Sequence, residues 1–348
     1  MRCAIHMHTT YSDGTATIPE LLDVAQRIGI DALLITDHDS IEARRDGWEG
    51  WHDGVLCVIG LEVSPRDGHL LAFGVGEEIA HRGLSEPEIC AAVDAAGGIS
   101  FAAHPFSEGS RMSRRIGRPH PWRALDECER TGVELWSVLT DEAERWSNPR
   151  QAISFLRHPE RLLAGAPAEH LALWDAIAAR RRVPAIGGLD AHQSGFRVRG
   201  RVISPMRHER FLGLLSTHVD CTPTGDASED RDRILSGLGA GRAYLAMDWV
   251  APAAGFSLWA ESDSARIEMG EEAPEGDWTI RVRCPREAQI RLIHDSSCVV
   301  ESRAESLDHP AGEPGVWRAE AWLDHEGLAR RWIVSNPIYV RPHGFGAV

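Results

Sequence analysis

Nine residues between positions 6 and 192 could bind metal: His6, His8, Asp13, His38, Glu62, His69, His104, Asp190 and His192. Nearly all stand at the ends of short apolar runs. Imidazoles and carboxylates gathered in this number predict a polynuclear metal centre, and such centres hydrolyse. The first pair sits in Cys3-Ala4-Ile5-His6-Met7-His8. In a strand, residues two apart share a face, so His6 and His8 are expected to project together onto one metal. Asp13-Gly14 then reads as a turn just beyond that strand. Four further runs end in the same way: residues 31–36 before Asp37-His38, 55–61 before Glu62, 98–103 before His104, and 183–189 before Asp190-Ala191-His192.

Such groups meet only if the strands are laid side by side. In parallel α/β architectures the C-terminal strand ends converge on one face, where catalytic groups gather. Helices fall between the runs as this requires. Residues 18–29 follow a capping Thr17, carry Pro19 in the first turn and close on Gly29. Residues 85–98 repeat the design, and 168–181 place Leu171, Trp174 and Ile177 on one face. A last helix is expected over 230–238, with a turn and strand over 239–247. From Gly255 the texture becomes short alternating runs separated by Gly, Pro and Asp, which predicts a small β-sandwich. The expected division is a metallohydrolase unit over 1–250 and a β-sandwich accessory domain over 251–348.

Two segments are rich in arginine. One, after His104, carries Arg111, Arg114 and Arg115; the other, after His192, carries Arg197 and Arg199. Each follows a metal-binding strand end, so these five are expected at the rim, where guanidinium can hold phosphate or carboxylate oxygens by paired hydrogen bonds. The formal net charge is −15. That argues against broad affinity for duplex DNA and favours a small anionic substrate, with short oligonucleotides or nucleotides still admissible.

The 348 residues allow one large core and a smaller second domain, and a charged fraction of 26% against 43% hydrophobic is ordinary for a globular chain. No run of about eighteen apolar residues is present, so no transmembrane helix is expected. The first strand starts by residue 3, leaving no room for a signal peptide. Seven cysteines in no C-x-x-C spacing indicate neither a disulfide framework nor a zinc knuckle. A cytoplasmic setting is therefore expected.

The motifs His6-x-His8, Ser12-Asp13-Gly14, Thr36-Asp37-His38, Glu62, Ala103-His104-Pro105 and Asp190-Ala191-His192 resemble those of the PHP (polymerase and histidinol phosphatase) family in order and spacing. The Gly-His-Leu-Leu-Ala-Phe-Gly segment over 68–74 is similar to that of the bacterial branch named after carbaryl hydrolase. The resemblance implies a distorted (β/α)7 PHP barrel with two or three divalent ions. His6, His8 and Asp190 would hold one, and Glu62 would bridge it to a second completed by His69 and His104. Asp13, His38 and His192 would hold a third. The imidazole-rich set suits Zn, Mn or Fe better than Mg or Ca.

The expected nucleophile is a hydroxide bridging two ions, with Asp190 as proton shuttle and Asp37 and Asp39 orienting His38. No Gly-x-Ser-x-Gly elbow or Cys-His signature competes with it. The favoured reading is a phosphoesterase acting on a small phosphate mono- or diester. The alternative is hydrolysis of a carbamate, ester or amide at the same centre, and a third reading is a silent metal-binding domain.

Overall fold

The structure, a computed structural model, describes residues 1–112, 118–193 and 207–342, together with the backbone of Phe196–Val198 and Arg201–Ile203. The fold is mixed α/β. Its first nine strands are β1 (Arg2–Ile5), β2 (Ala32–Ile35), β3 (Gly50–His52), β4 (Val55–Ile59), β5 (Leu61–Val63), β6 (His69–Phe73), β7 (Ile99–Ala103), β8 (Gly132–Ser137) and β9 (Ala185–Gly188). β1, β2, β4, β8 and β9 are buried almost throughout, as continuous apolar runs covered on both faces should be.

The expected helices form, for the local reasons read from the chain. In Ile18–Ile28 the backbone N–H of Thr17 donates to Glu20, while Thr17 Oγ1 accepts from the Glu20 N–H; Gly29 ends the helix at φ 71°. Glu86–Ala95 begins with Ser85 donating to the Glu88 carboxylate. Ala168–Ala178 and Ala227–Ala240 follow.

These nine strands fall in two sheets, neither purely parallel. In one, β1 pairs in parallel with β2, and β2 with β4. In the other, β7, β8 and β9 are parallel, but β6 runs antiparallel to both β5 and β7. Only residues 64–68 link β5 to β6, too few for a parallel crossover. His69 therefore starts its strand, and its partner Ala103 ends the neighbouring one, so both open on the same side.

The sheets meet at two seams. Met7 bridges to Ala191, supported by Leu189 N–H to Ile5 O at 3.0 Å, and His38 bridges to Glu62, supported by Glu62 N–H to Asp37 O at 3.1 Å. Among the described residues no continuous ladder closes these sheets into a barrel. The first sheet instead continues outward through β12 (Ser216–Val219) and β13 (Ala243–Ala246), both antiparallel, the strands β10 (Phe196–Val198) and β11 (Arg201–Ile203) forming a separate hairpin.

Beyond residue 250 the alternating runs are strands, but they extend that first sheet. They are β14 (Ser257–Glu261), β15 (Arg266–Glu268), β16 (Glu272–Pro274), β17 (Trp278–His294), β18 (Ser297–Ala311), β19 (Gly315–His325), β20 (Leu328–Ser335) and β21 (Ile338–Arg341). β20 pairs antiparallel with β13, and β19, β17 and β14 continue outward from it. Leu258, Ile280, Val282, Ile290, Trp332 and Ile333 form a core there. Alternation in sequence marks a strand with one buried face without naming the strand it will pair with.

Candidate metal centre

β1 ends at Ile5, one residue short of His6. His6 adopts φ 65°, so it is the turn out of the strand, rather than strand periodicity, that brings it beside His8. Their Nε2 atoms nevertheless stand 3.4 and 3.5 Å from one oxygen, Asp190 Oδ1. His104 and Asp190 also have positive φ, 30° and 53°. Left-handed backbone at residues other than glycine costs of order 1–3 kcal/mol each, and such positions cluster at functional sites. Gly14 has to be glycine, because a Cβ there would overlap the His8 carbonyl.

Glu62 lies at the centre and is fully buried. Its Oε1 is 2.9 Å from His69 Nδ1, 3.3 Å from His104 Nε2 and 3.5 Å from His6 Nε2. Its Oε2 is 3.0 Å from His38 Nδ1 and 3.3 Å from His8 Nε2. Asp13 sits on the open side, its Oδ1 3.3 Å from His192 Nε2 and 3.7 Å from His38 Nε2. Burial alone would neutralise these carboxyls, yet the charges of His69 and His6 hold Glu62 well below the usual range, and those of His6, with a bond from His8, do the same for Asp190. Against the same desolvation, Glu62 lifts His104 to about 9 and Asp13 lifts His192 to about 9.

The donor set fits divalent cations. Ligand atoms of His6/His8/Asp190, His6/Glu62/His104, His38/Glu62/His69 and His8/Asp13/His38/His192 each fall within 4.8 Å of one another. His6 Nε2, both ring nitrogens of His8, Glu62 Oε2 and His104 Nδ1 are buried without a hydrogen-bond partner. Orphaned polar atoms at one point are what an ion coordinated by imidazole and carboxylate would satisfy.

Residues 4–86, which span the first six of these nine, match the model of the PHP domain. The chain carries a PHP domain. The chain is 30% identical over 119 residues to an uncharacterized Methanocaldococcus jannaschii protein, covering 31% of this chain and 69% of that one. It is 27% identical to the error-prone DNA polymerase of Mycobacterium tuberculosis over 360 aligned positions, 92% of this chain and 29% of the polymerase. An 80-residue stretch is 36% identical to a phosphoribosyl 1,2-cyclic phosphate 1,2-diphosphodiesterase of Eggerthella lenta, 21% of this chain and 30% of that enzyme. Among solved structures, a two-domain Bacteroides vulgatus protein described as containing a PHP-like metal-dependent phosphoesterase aligns over 96% of this chain and 94% of its own, at 16% identity and TM-score 0.45.

All nine sequence-picked residues of the PHP domain and its continuation come together, although the grouping differs in detail: His69 stands with His38 and Glu62, whereas His104 stands with His6. The orienting role expected of Asp37 is not what the geometry shows. Asp37 accepts from Thr9 N–H, Thr9 Oγ1 and Ser12 Oγ at 2.6–2.7 Å, bracing the turn after β1. Ser64 stands against His38 instead, at 2.7 Å from Nδ1, and Asp39 holds the Ser64 N–H.

Of the five arginines, Arg111 is exposed, Arg114, Arg115 and Arg199 lie outside the described residues, and Arg197 falls in β10, whose side chains are also outside them. What the first arginine-rich segment does bring in is His120, whose ring stacks on His69 at 4.5 Å. Two other residues escaped the sequence reading. Thr140 donates to Asp190 Oδ2, and Glu134 contacts His6 and His104. Glu134 had a usable signal, being a lone carboxylate in an apolar strand run, as Glu62 is.

Proposed function

We propose that this protein is a metal-dependent phosphoesterase that hydrolyses a small phosphate mono- or diester, with the nine ligands holding two or three divalent ions, Zn, Mn or Fe. One observation carries the reading: a single buried carboxylate, Glu62, faces five imidazoles within 3.5 Å. Ions held there would lower the pKa of water near neutrality and offset charge on the ester oxygens. The family and the diesterase named among the relatives support phosphate as the substrate group.

The chain's own residues set the direction of approach. Exposure rises from none at His6, His8 and Glu62 to 60% for the Asp13 side chain, so substrate enters past Asp13, His38 and His192. Asp190, less enclosed than Glu62 and held by Thr140, takes the proton from the attacking water. The arginines after His104 and His192 bind the anionic ester, and the two sheets act as a distorted barrel around the site. Its free cysteines suit a reducing, cytoplasmic setting, and no described helix is long and apolar enough to cross a membrane.

Assays of metal-loaded protein on p-nitrophenyl phosphate, bis-p-nitrophenyl phosphate and 1-naphthyl methylcarbamate test this. Turnover of a phosphate ester abolished by chelation is expected. Turnover of the carbamate with no phosphate ester cleaved would overturn the substrate assignment.

A further inference from the structure

β8 is the one strand of the second sheet that brings none of the nine residues to the site, yet it ends beside them. Its Glu134 is buried, with both oxygens engaged: Oε1 lies 2.8 Å from His6 Nδ1, and Oε2 accepts the His104 backbone N–H at 2.7 Å. Gly188 of the neighbouring β9 leaves the space, since a Cβ there would overlap Glu134 Oε1 and crowd the His6 side chain. The helix Val138–Arg145 that follows β8 directly reaches the same cluster, Leu139 N–H donating to Leu189 O at 3.2 Å and Thr140 to Asp190.

We propose that Glu134 is a positioning residue of the metal centre, fixing His6 as the tautomer protonated on Nδ1 and pinning His104 in its left-handed backbone. The inference rests on the metal-centre reading above. An ionised carboxylate only accepts, so the nitrogen facing it must carry the proton. In the neutral ring that a metal requires, the other nitrogen, Nε2, then carries the free lone pair. It is buried without a hydrogen-bond partner, 3.5 Å from Glu62 and 3.4 Å from Asp190. A carboxylate behind a ligating imidazole also makes it a stronger ligand.

Glu134→Gln keeps the shape and one acceptor oxygen, but it turns an amide N–H₂ toward either the His6 or the His104 donor. Zinc binding to the full chain, measured by chelator competition, should weaken about 10- to 100-fold for an ion in this variant, with the melting temperature of the metal-free protein close to wild type. Zinc bound as tightly as in wild type would overturn the role of Glu134 while leaving the metal centre intact. No zinc bound by wild type would overturn both. Should the variant not fold, ring-nitrogen NMR of the zinc-loaded wild type decides. The imidazole resonances lost in His6→Gln should report a proton on Nδ1, and a proton on Nε2 would contradict the assignment.

Discussion

Where the helix Ala168–Ala178 meets the C-terminal strands, Arg318 donates to both oxygens of Asp175 at 2.7 and 2.9 Å and to Glu320 at 2.7 Å, and Arg331 adds a bond to Glu320 at 2.9 Å. Around Glu62 the same degree of burial is built differently, with one carboxylate facing five imidazoles. The first cluster alternates in sign, and none of these four side chains has an orphaned atom; the second leaves five ring or carboxylate atoms without partners. The contrast separates structural from functional burial of charge. A balanced cluster satisfies itself and fastens two parts of the fold. An unbalanced one needs something from outside the chain, and here the donor chemistry points to cations.

Breaking each cluster should therefore have different consequences. Glu62→Ala removes the carboxylate that faces all five imidazoles, and its cost to kcat/KM should exceed the roughly 100-fold expected of a supporting residue, with metal content falling in parallel; retained metal and rate would contradict the contrast. Asp175→Ala leaves the buried Arg318 with Glu320 alone, a carboxylate it shares with Arg331, and should cost about 3–5 kcal/mol of stability in denaturant titrations. Activity per folded molecule should survive it.

A third expectation concerns pH. His104 and His192, raised from 6.5 to about 9, stabilise the metal-free fold fully below pH 6.5, and that contribution is lost as pH rises through about 9. Metal binding runs the other way, because each ligand must shed its proton. The gap in melting temperature between metal-loaded and chelator-treated protein should widen from pH 6.5 to 9, and a constant gap would show that these imidazoles are not displaced by metal. The smallest effect is expected at Arg111. It is exposed, where a charge contact is worth about 0.2–1 kcal/mol, so Arg111→Ala should raise KM for a phosphate ester by no more than about fivefold.

The nine clustered residues were legible because buried-strand runs seldom end in His, Asp or Glu without cause, and because the pattern recurs. His69 shows how far this goes: it precedes its run, and only the antiparallel direction of β6 explains how it still reaches the site. Glu134 carried the same mark as Glu62 but lies outside the motif set, so nothing in the chain tied it to His6, 128 residues away. Asp37 illustrates the opposite error, since adjacency to His38 suggested a role that belongs to Ser64. How the two sheets meet, and which strand each C-terminal run pairs with, were not legible for a common reason: periodicity predicts strands, while their partners are set by three-dimensional packing.

Anomalous diffraction from crystals grown with Zn or Mn tests the central claim directly. At least two peaks are expected, each about 2.0–2.3 Å from ligand atoms of the nine residues, with one shared by Glu62 and none at Arg318. Metal-supplemented crystals with no peak within coordination distance of Glu62 would contradict the account.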